Sequence, residues 1–180
     1  PAPTAAIVGG PAALSNTRSP TFTFTASEPT QCKLDDGAFA ACTSPKSYSN
    51  LADGPHTFTV KATDTAGNAS EAAYTWTIDA TPPTVAITGG KPASPTNSTS
   101  ASFSFSASDP TQCKLDGGEF TACTSPATYS GLADGPHTFA VKAIDPAENT
   151  AQATHPWTVD TTPPTVEITG GKPGDPTNSK

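Results

Sequence analysis

The chain repeats itself with a period of 81 residues. Residues 20–80 and 101–161 align without a gap and share 38 of 61 positions. A third copy opens at Thr162, where residues 162–173 repeat residues 81–92 with one change, Glu167 for Ala86. Self-similarity at a fixed spacing belongs to arrays of like modules rather than to one large domain. The 180 residues therefore divide into a unit at 1–80, a second at 81–161, and the first strand and loop of an incomplete third at 162–180. Units this small bury only roughly 60% of their unfolded surface, so a core alone holds them marginally.

With 20 prolines, 14 glycines and 14% charged residues, the composition would suit a disordered stalk. The Phe, Val, Ile and Trp residues, however, recur at matching places in both copies, which a stalk does not need. The net charge of −7 and the absence of clustered Lys and Arg exclude a nucleic-acid partner, because nothing releases counterions from phosphates. No apolar run is long enough to span a bilayer. The opening Pro1-Ala2-Pro3 is like the later linkers, so the chain reads as a mature slice of something longer.

The four cysteines form two equivalent pairs, Cys32/Cys42 and Cys113/Cys123, each inside one repeat. The copying selects the local connectivity among the three that four cysteines allow. Zinc is the competing use, but a C-x9-C pair with one His nearby departs from common ligand spacings. A disulfide across an 11-residue loop stabilises each unit by nearly 3 kcal/mol in the chain-entropy model and implies an oxidising compartment.

The second unit is the fuller one. Thr84-Val85-Ala86-Ile87-Thr88 is a β-branched strand stopped by Gly89-Gly90, and a polar loop containing Pro92 and Pro95 follows. Phe103 and Phe105 (Phe22 and Phe24 in the first copy) alternate with Ser or Thr, as on a half-buried strand. A hairpin is expected from Gln112 to Cys123, its tight turn at Asp116-Gly117-Gly118, where successive glycines would accept the positive φ. After Ala133-Asp134-Gly135-Pro136, Phe139 and Val141 (Phe58 and Val60) face inward, and the last strand carries Trp157 (Trp76). Those ten aromatic and Val residues are the expected core. Six or seven short strands per unit without helical periodicity indicate an all-β antiparallel sandwich.

The string Cys-x-Leu-Asp-x-Gly-x-Phe-x-x-Cys, then Leu-Ala-Asp-Gly-Pro-His-Thr-Phe-x-Val-Lys-Ala-x-Asp, then Trp-Thr-x-Asp-x-Thr-Pro-Pro resembles bacterial immunoglobulin-like repeats. The resemblance implies a sandwich similar to fibronectin type III modules, strung in tandem in large exported surface proteins, and it brings no catalytic residue. Asp145-Pro146-Ala147-Glu148-Asn149 departs from the Asp-x-Ala-Gly-Asn form of residues 64–68, which puts one loop's shape in question.

Residues that could carry chemistry have plainer uses. His56 and His137 follow Asp-Gly-Pro without the convergent partners that catalysis demands, and are expected to cap a loop carbonyl or pack on the sheet edge. Asp79 and Asp160, before the linkers, are the first places to look for interdomain calcium, but no dense Asp-x-Asp string supports it and Asx turns explain them. Trp76 and Trp157 alternate with Ile78 and Val159, as core residues rather than sugar platforms. No enzyme and no cofactor is expected. The linker prolines Pro82, Pro83, Pro163 and Pro164 favour a stiff, extended connection. The expected function is a structural or adhesive array: a segment of an extracellular fibre, filament or stalk, secreted or on the cell surface. Its partners would be neighbouring repeats and identical chains of a homopolymeric filament. An unpaired third strand, with Val166 and Ile168 exposed, would then be completed by more chain or by a neighbour. A glycan- or host-protein-binding module and an accessory domain of a secreted hydrolase are the alternatives. Differences spread over Asp36/Gly117, Lys46/Ala127, Gly67/Glu148 and Tyr74/His155, rather than one loop cluster, favour the spacer.

Overall fold

Alternation sets the architecture. In the computed structural model, which describes residues 1–167, 169 and 170, the first unit contains β1 (Ala5–Gly9), β2 (Leu14–Ser15), β3 (Thr21–Ala26), β4 (Thr30–Leu34), β5 (Ala40–Cys42), β6 (Lys46–Ser47), β7 (Gly54–Thr63) and β8 (Ala69–Ile78). Phe22 and Phe24 on β3 point inward between exposed threonines, and meet Phe58 and Val60 from β7 across the sandwich. One sheet runs β1-β3-β6 and the other β2-β8-β7-β4-β5. The second unit repeats this with β9 (Val85–Gly89), β10 (Ser100–Ala107), β11 (Thr111–Leu115), β12 (Thr121–Ala122), β13 (Ala127–Ser130), β14 (Gly135–Ile144) and β15 (Thr150–Val159). Its sheets are β13-β10-β9 and β12-β11-β14-β15. No helix occurs among the described residues, so none is long and apolar enough to cross a membrane.

Each unit has its own core. Phe22, Phe24, Cys32, Phe58, Val60, Trp76 and Ile78 form one cluster, and Phe103, Phe105, Cys113, Phe139, Val141, Trp157 and Val159 belong to the other, with no shared member. Phe22 stacks on Phe58 at 4.3 Å between centroids and Phe103 on Phe139 at 4.2 Å. The expected disulfides are both present, Cys32 to Cys42 and Cys113 to Cys123. In the third copy Val166 is exposed, while Ile168 and residues 171–180 lie outside the described residues.

The sandwich is not wholly antiparallel. β1 pairs antiparallel with β3, but after Gly9-Gly10-Pro11 the chain changes sheets and β2 pairs in parallel with β8. In the second unit the same crossing leaves one parallel bridge, Thr96 to Val159, inside what reads as a polar loop. Glycine permits the crossing. Gly90 sits at φ 71°, and a β-carbon there would overlap the Ser102 carbonyl.

The hairpin turn also departs from expectation. Positive φ falls on Asp35 (52°) and Asp116 (53°), not on the glycines after them, and strand pairing resumes only at Ala40 and Thr121. Aspartate accepts the left-handed conformation because its polar groups are satisfied there. The Thr57 N–H donates to Asp35 Oδ1 (2.7 Å) and the Asp35 N–H to the Thr57 carbonyl (2.8 Å). The longer connection folds Phe39 back over the outer face of the sheet, with the Lys33 and Lys61 ammonium groups 5.3 and 5.4 Å from its ring centre. Phe120 lies likewise between Lys114 (4.8 Å) and Lys142 (4.5 Å). Thr59 and Ala140, the cross-strand partners of Lys33 and Lys114, are buried on the same sheet. Each such cation–aromatic contact contributes about 0.5–1 kcal/mol at an exposed site.

Candidate functional site

Cys32/Cys113, Cys42/Cys123, His56/His137 and Trp76/Trp157 recur at matching positions in the two units, and each is bonded or buried there. His56 sits opposite Trp76 in the β7–β8 register, its ring 5.4 Å from the indole. Its Nδ1 lies 2.8 Å from Asp35 Oδ2 and its Nε2 2.9 Å from the Ala52 carbonyl. His137 does the same with Asp116 Oδ2 and the Ala133 carbonyl, both at 2.9 Å. The ring ties the hairpin turn to the loop before β7 (before β14 in the second unit), as a carbonyl-capping, edge-packing histidine should. The partner aspartate was not legible, because its approach depends on the left-handed turn.

Both ring nitrogens face acceptors, a carboxylate and a carbonyl, so the doubly protonated imidazolium alone satisfies the site. Neither nitrogen is left to act as a base. For His137, the Ala133 carbonyl and then Asp116 hold the pKa above its ordinary 6.5. For His56, burial pulls downward, but the Ala52 carbonyl and Asp35 outweigh it and the net shift is again upward. Burial presses Asp116 upward, yet the His137 bond and the Thr138 N–H hold it below its ordinary 3.8. A raised histidine pKa gives stability that is complete below 6.5 and lost as pH rises through the folded value. A depressed aspartate gives stability present above 3.8 and lost as pH falls through its folded value. Both units should thus be most stable in mildly acidic solution and weaken as the pH rises above 6.5. Urea unfolding across that rise checks this, and His137→Gln should flatten the second unit's response alone.

The carboxylates before the linkers form Asx turns. Asp79 Oδ1 accepts the Thr81 N–H and Asp160 Oδ1 the Thr162 N–H, each at 3.1 Å. Asp53 pairs with Arg18 (2.9 Å) and accepts the Thr81 hydroxyl, while Asp134 gathers the N–H and hydroxyl of Thr161. Those Thr161 bonds hold Asp134 below its usual pKa. Among the described residues no three His, Cys, Asp or Glu side chains are grouped to hold a metal ion. Trp76 and Trp157 are 2% exposed, which leaves no ring face for a sugar. Grooves beside the disulfide hairpins match position for position, from Phe24, Pro29 and Cys42 to Phe105, Pro110 and Cys123, so they come with the fold.

Tyr74 and His155 differ in sequence but keep one role. The Tyr74 hydroxyl donates to the Pro11 carbonyl (2.7 Å), and His155 Nε2 lies 3.3 Å from the Pro92 carbonyl. Both fasten the segment where the chain changes sheets.

The altered loop keeps its shape. Asp64 Oδ2 accepts from Asn68 Nδ2, and Asp145 Oδ2 from Asn149 Nδ2, each at 2.8 Å. Glu148 takes φ 68° where Gly67 takes 88°. A side chain in the left-handed region is strained, so Glu148→Gly should stabilise the second unit by up to about 1 kcal/mol after glycine's own entropy cost. Thermal unfolding measures it. Of the linker prolines, Pro83 is buried while Pro82, Pro163 and Pro164 are exposed.

Residues 11–80 match the family model described as a bacterial Ig-like domain. No curated protein matches the chain. Among solved structures, the fibronectin(III)-like modules of Clostridium thermocellum CbhA are 17% identical, over 87% of this chain and 94% of theirs, with a TM-score of 0.49. A tetra-tandem repeat from the extending region of a large adhesion protein is 22% identical over 89% of this chain and 49% of its own, with a TM-score of 0.30. Dimeric latent PorU from Porphyromonas gingivalis is 12% identical over 87% and 20%, with a TM-score of 0.34. Likeness at this level carries nothing over to the activity or partners of this chain.

Proposed function

We propose that this chain, which opens with a bacterial Ig-like domain and repeats it, is a non-catalytic structural stretch of an exported protein. Its units are 1–80 and 81–161, with the opening of a third at 162–180, and they act as spacers in an extracellular fibre, filament or stalk. The observation that carries this reading is that the duplicated cysteines, histidines and tryptophans are each bonded or buried within their own unit. Cys32, Cys42, Cys113 and Cys123 are bonded to one another, His56 and His137 are bonded through both ring nitrogens, and both Trp residues are buried. What the two copies keep is therefore what holds a module together. Disulfides favour an oxidising setting outside the cytosol, and consecutive prolines at 82–83 favour a stiff connection.

Antibody raised against the chain and applied to intact, unpermeabilised cells tests this by electron microscopy. Label at regular intervals along thin surface projections is expected. Label confined to the cell interior, or following a secreted hydrolase into the medium, refutes it.

A further inference from the structure

Two loops of one conformation meet different surroundings. In the second unit Ala147 is buried at 4%, and Asn149 Nδ2 reaches beyond its own unit to the Asp79 carbonyl oxygen, 2.8 Å away at the end of the first. In the first unit the matching Ala66 and Asn68 are exposed, and Asn68 Nδ2 bonds only to Asp64. The other half of the contact is also duplicated. Asp160 follows Val159 as Asp79 follows Ile78, turns on the same Asx bond, and is exposed. The two units receive their incoming chain identically too. Pro3 and Pro83 are both buried, and the Thr4 and Thr84 N–H groups donate to Ser27 and Ser108 hydroxyls at 3.0 Å.

We propose that the loop at residues 64–68 is a docking end for the tail of a like unit, the Asp160 end of a second copy of this chain. The contact is the Asn149–Asp79 clasp repeated: the Asn68 amide donates to the Asp160 carbonyl and Ala66 becomes covered. Continuity with the existing junction carries the assignment, and it rests on reading the chain as a structural array. It makes assembly directional, because the amide lies at one end of each unit and the carbonyl at the other. One amide bond over a small covered surface is weak between separate chains, so the contact forms when a linker supplies a high local concentration.

Chain geometry allows a direct test. Joining Thr161 of one copy of residues 1–161 to Pro1 of another places as many residues between Asp160 and Thr4 as lie between Asp79 and Thr84, with Pro3 where Pro83 stands. In this fusion, amide exchange at residues 66–68 should be several-fold slower in the second copy than in the first. Nitrogen relaxation should show the second copy's first unit tumbling with the unit before it. Asn68→Ala in the second copy should release that coupling. The same change in the first copy, which loses the same bond to Asp64, should leave it intact. Equal exchange in both copies, or equal effects of the two substitutions, overturns the proposal. Surface labelling that persists alongside such a result would leave the spacer reading standing and the clasp alone refuted.

Discussion

Replacing Phe103 with Ala should unfold the second unit and leave the first folded. Phe103 is fully buried, stacks on Phe139 at 4.2 Å, meets Tyr129 edge-on at 6.5 Å and lies tilted against Trp157 at 5.2 Å. Truncating a buried aromatic costs about 3–5 kcal/mol in lost transfer energy and residual cavity. A unit of about 80 residues has stability on the order of 4–12 kcal/mol, so a unit in the lower half of that range loses most of its margin. Because the two clusters share no residue, the loss should stay local. An amide correlation spectrum reports it: resonances of the second unit collapse to the unfolded region while those of the first keep their positions. Joint collapse would mean that the cores are coupled after all. Phe22→Ala should give the mirror image.

Removing a disulfide should have nearly as large an effect. Each bond joins cysteines ten positions apart, and closing such a loop removes about 3 kcal/mol of chain entropy from the unfolded state. For a unit this small that corresponds to a fall in melting temperature of about 12–24 °C. Exchanging both Cys32 and Cys42 for Ser should lower the first unit's transition only, whereas reductant lowers both. The bridge also pins the β4–β5 pairing, since Cys32 is paired with Ala40 and Thr30 with Cys42. The double variant should therefore show faster amide exchange across that hairpin even where the unit stays folded.

The inward-facing residues were legible because their signal is local. Phe103 and Phe105 alternate with serines, Trp157 is two positions from Val159, and such periodicity needs no knowledge of the partner strand. The turn at Asp116 was not legible. Sequence favours glycine for a positive φ, and only the approach of His137 and Thr138 from another strand makes aspartate the better occupant. The change of sheet after Gly90 was hidden similarly, since two parallel bonds leave no periodic trace. Duplication helped most with the site. Matching cysteines fixed the disulfide partners, and the lack of convergent partners around each histidine pointed to a structural role for the ring. Duplication could not reveal that Asn149 touches the preceding unit while Asn68 does not, because the two residues are the same and only their neighbours differ.

Pulling a single oxidised chain from its two ends tests the modular account most directly. Two separate ruptures of similar length are predicted, one per sandwich. Because reductant frees the ten-residue span each bridge holds to a Cα–Cα distance of 5.7 or 5.6 Å, it should lengthen each rupture by about 30 Å. One merged rupture, or two that reductant leaves unchanged, would contradict self-contained modules each closed by its own sulfur bond.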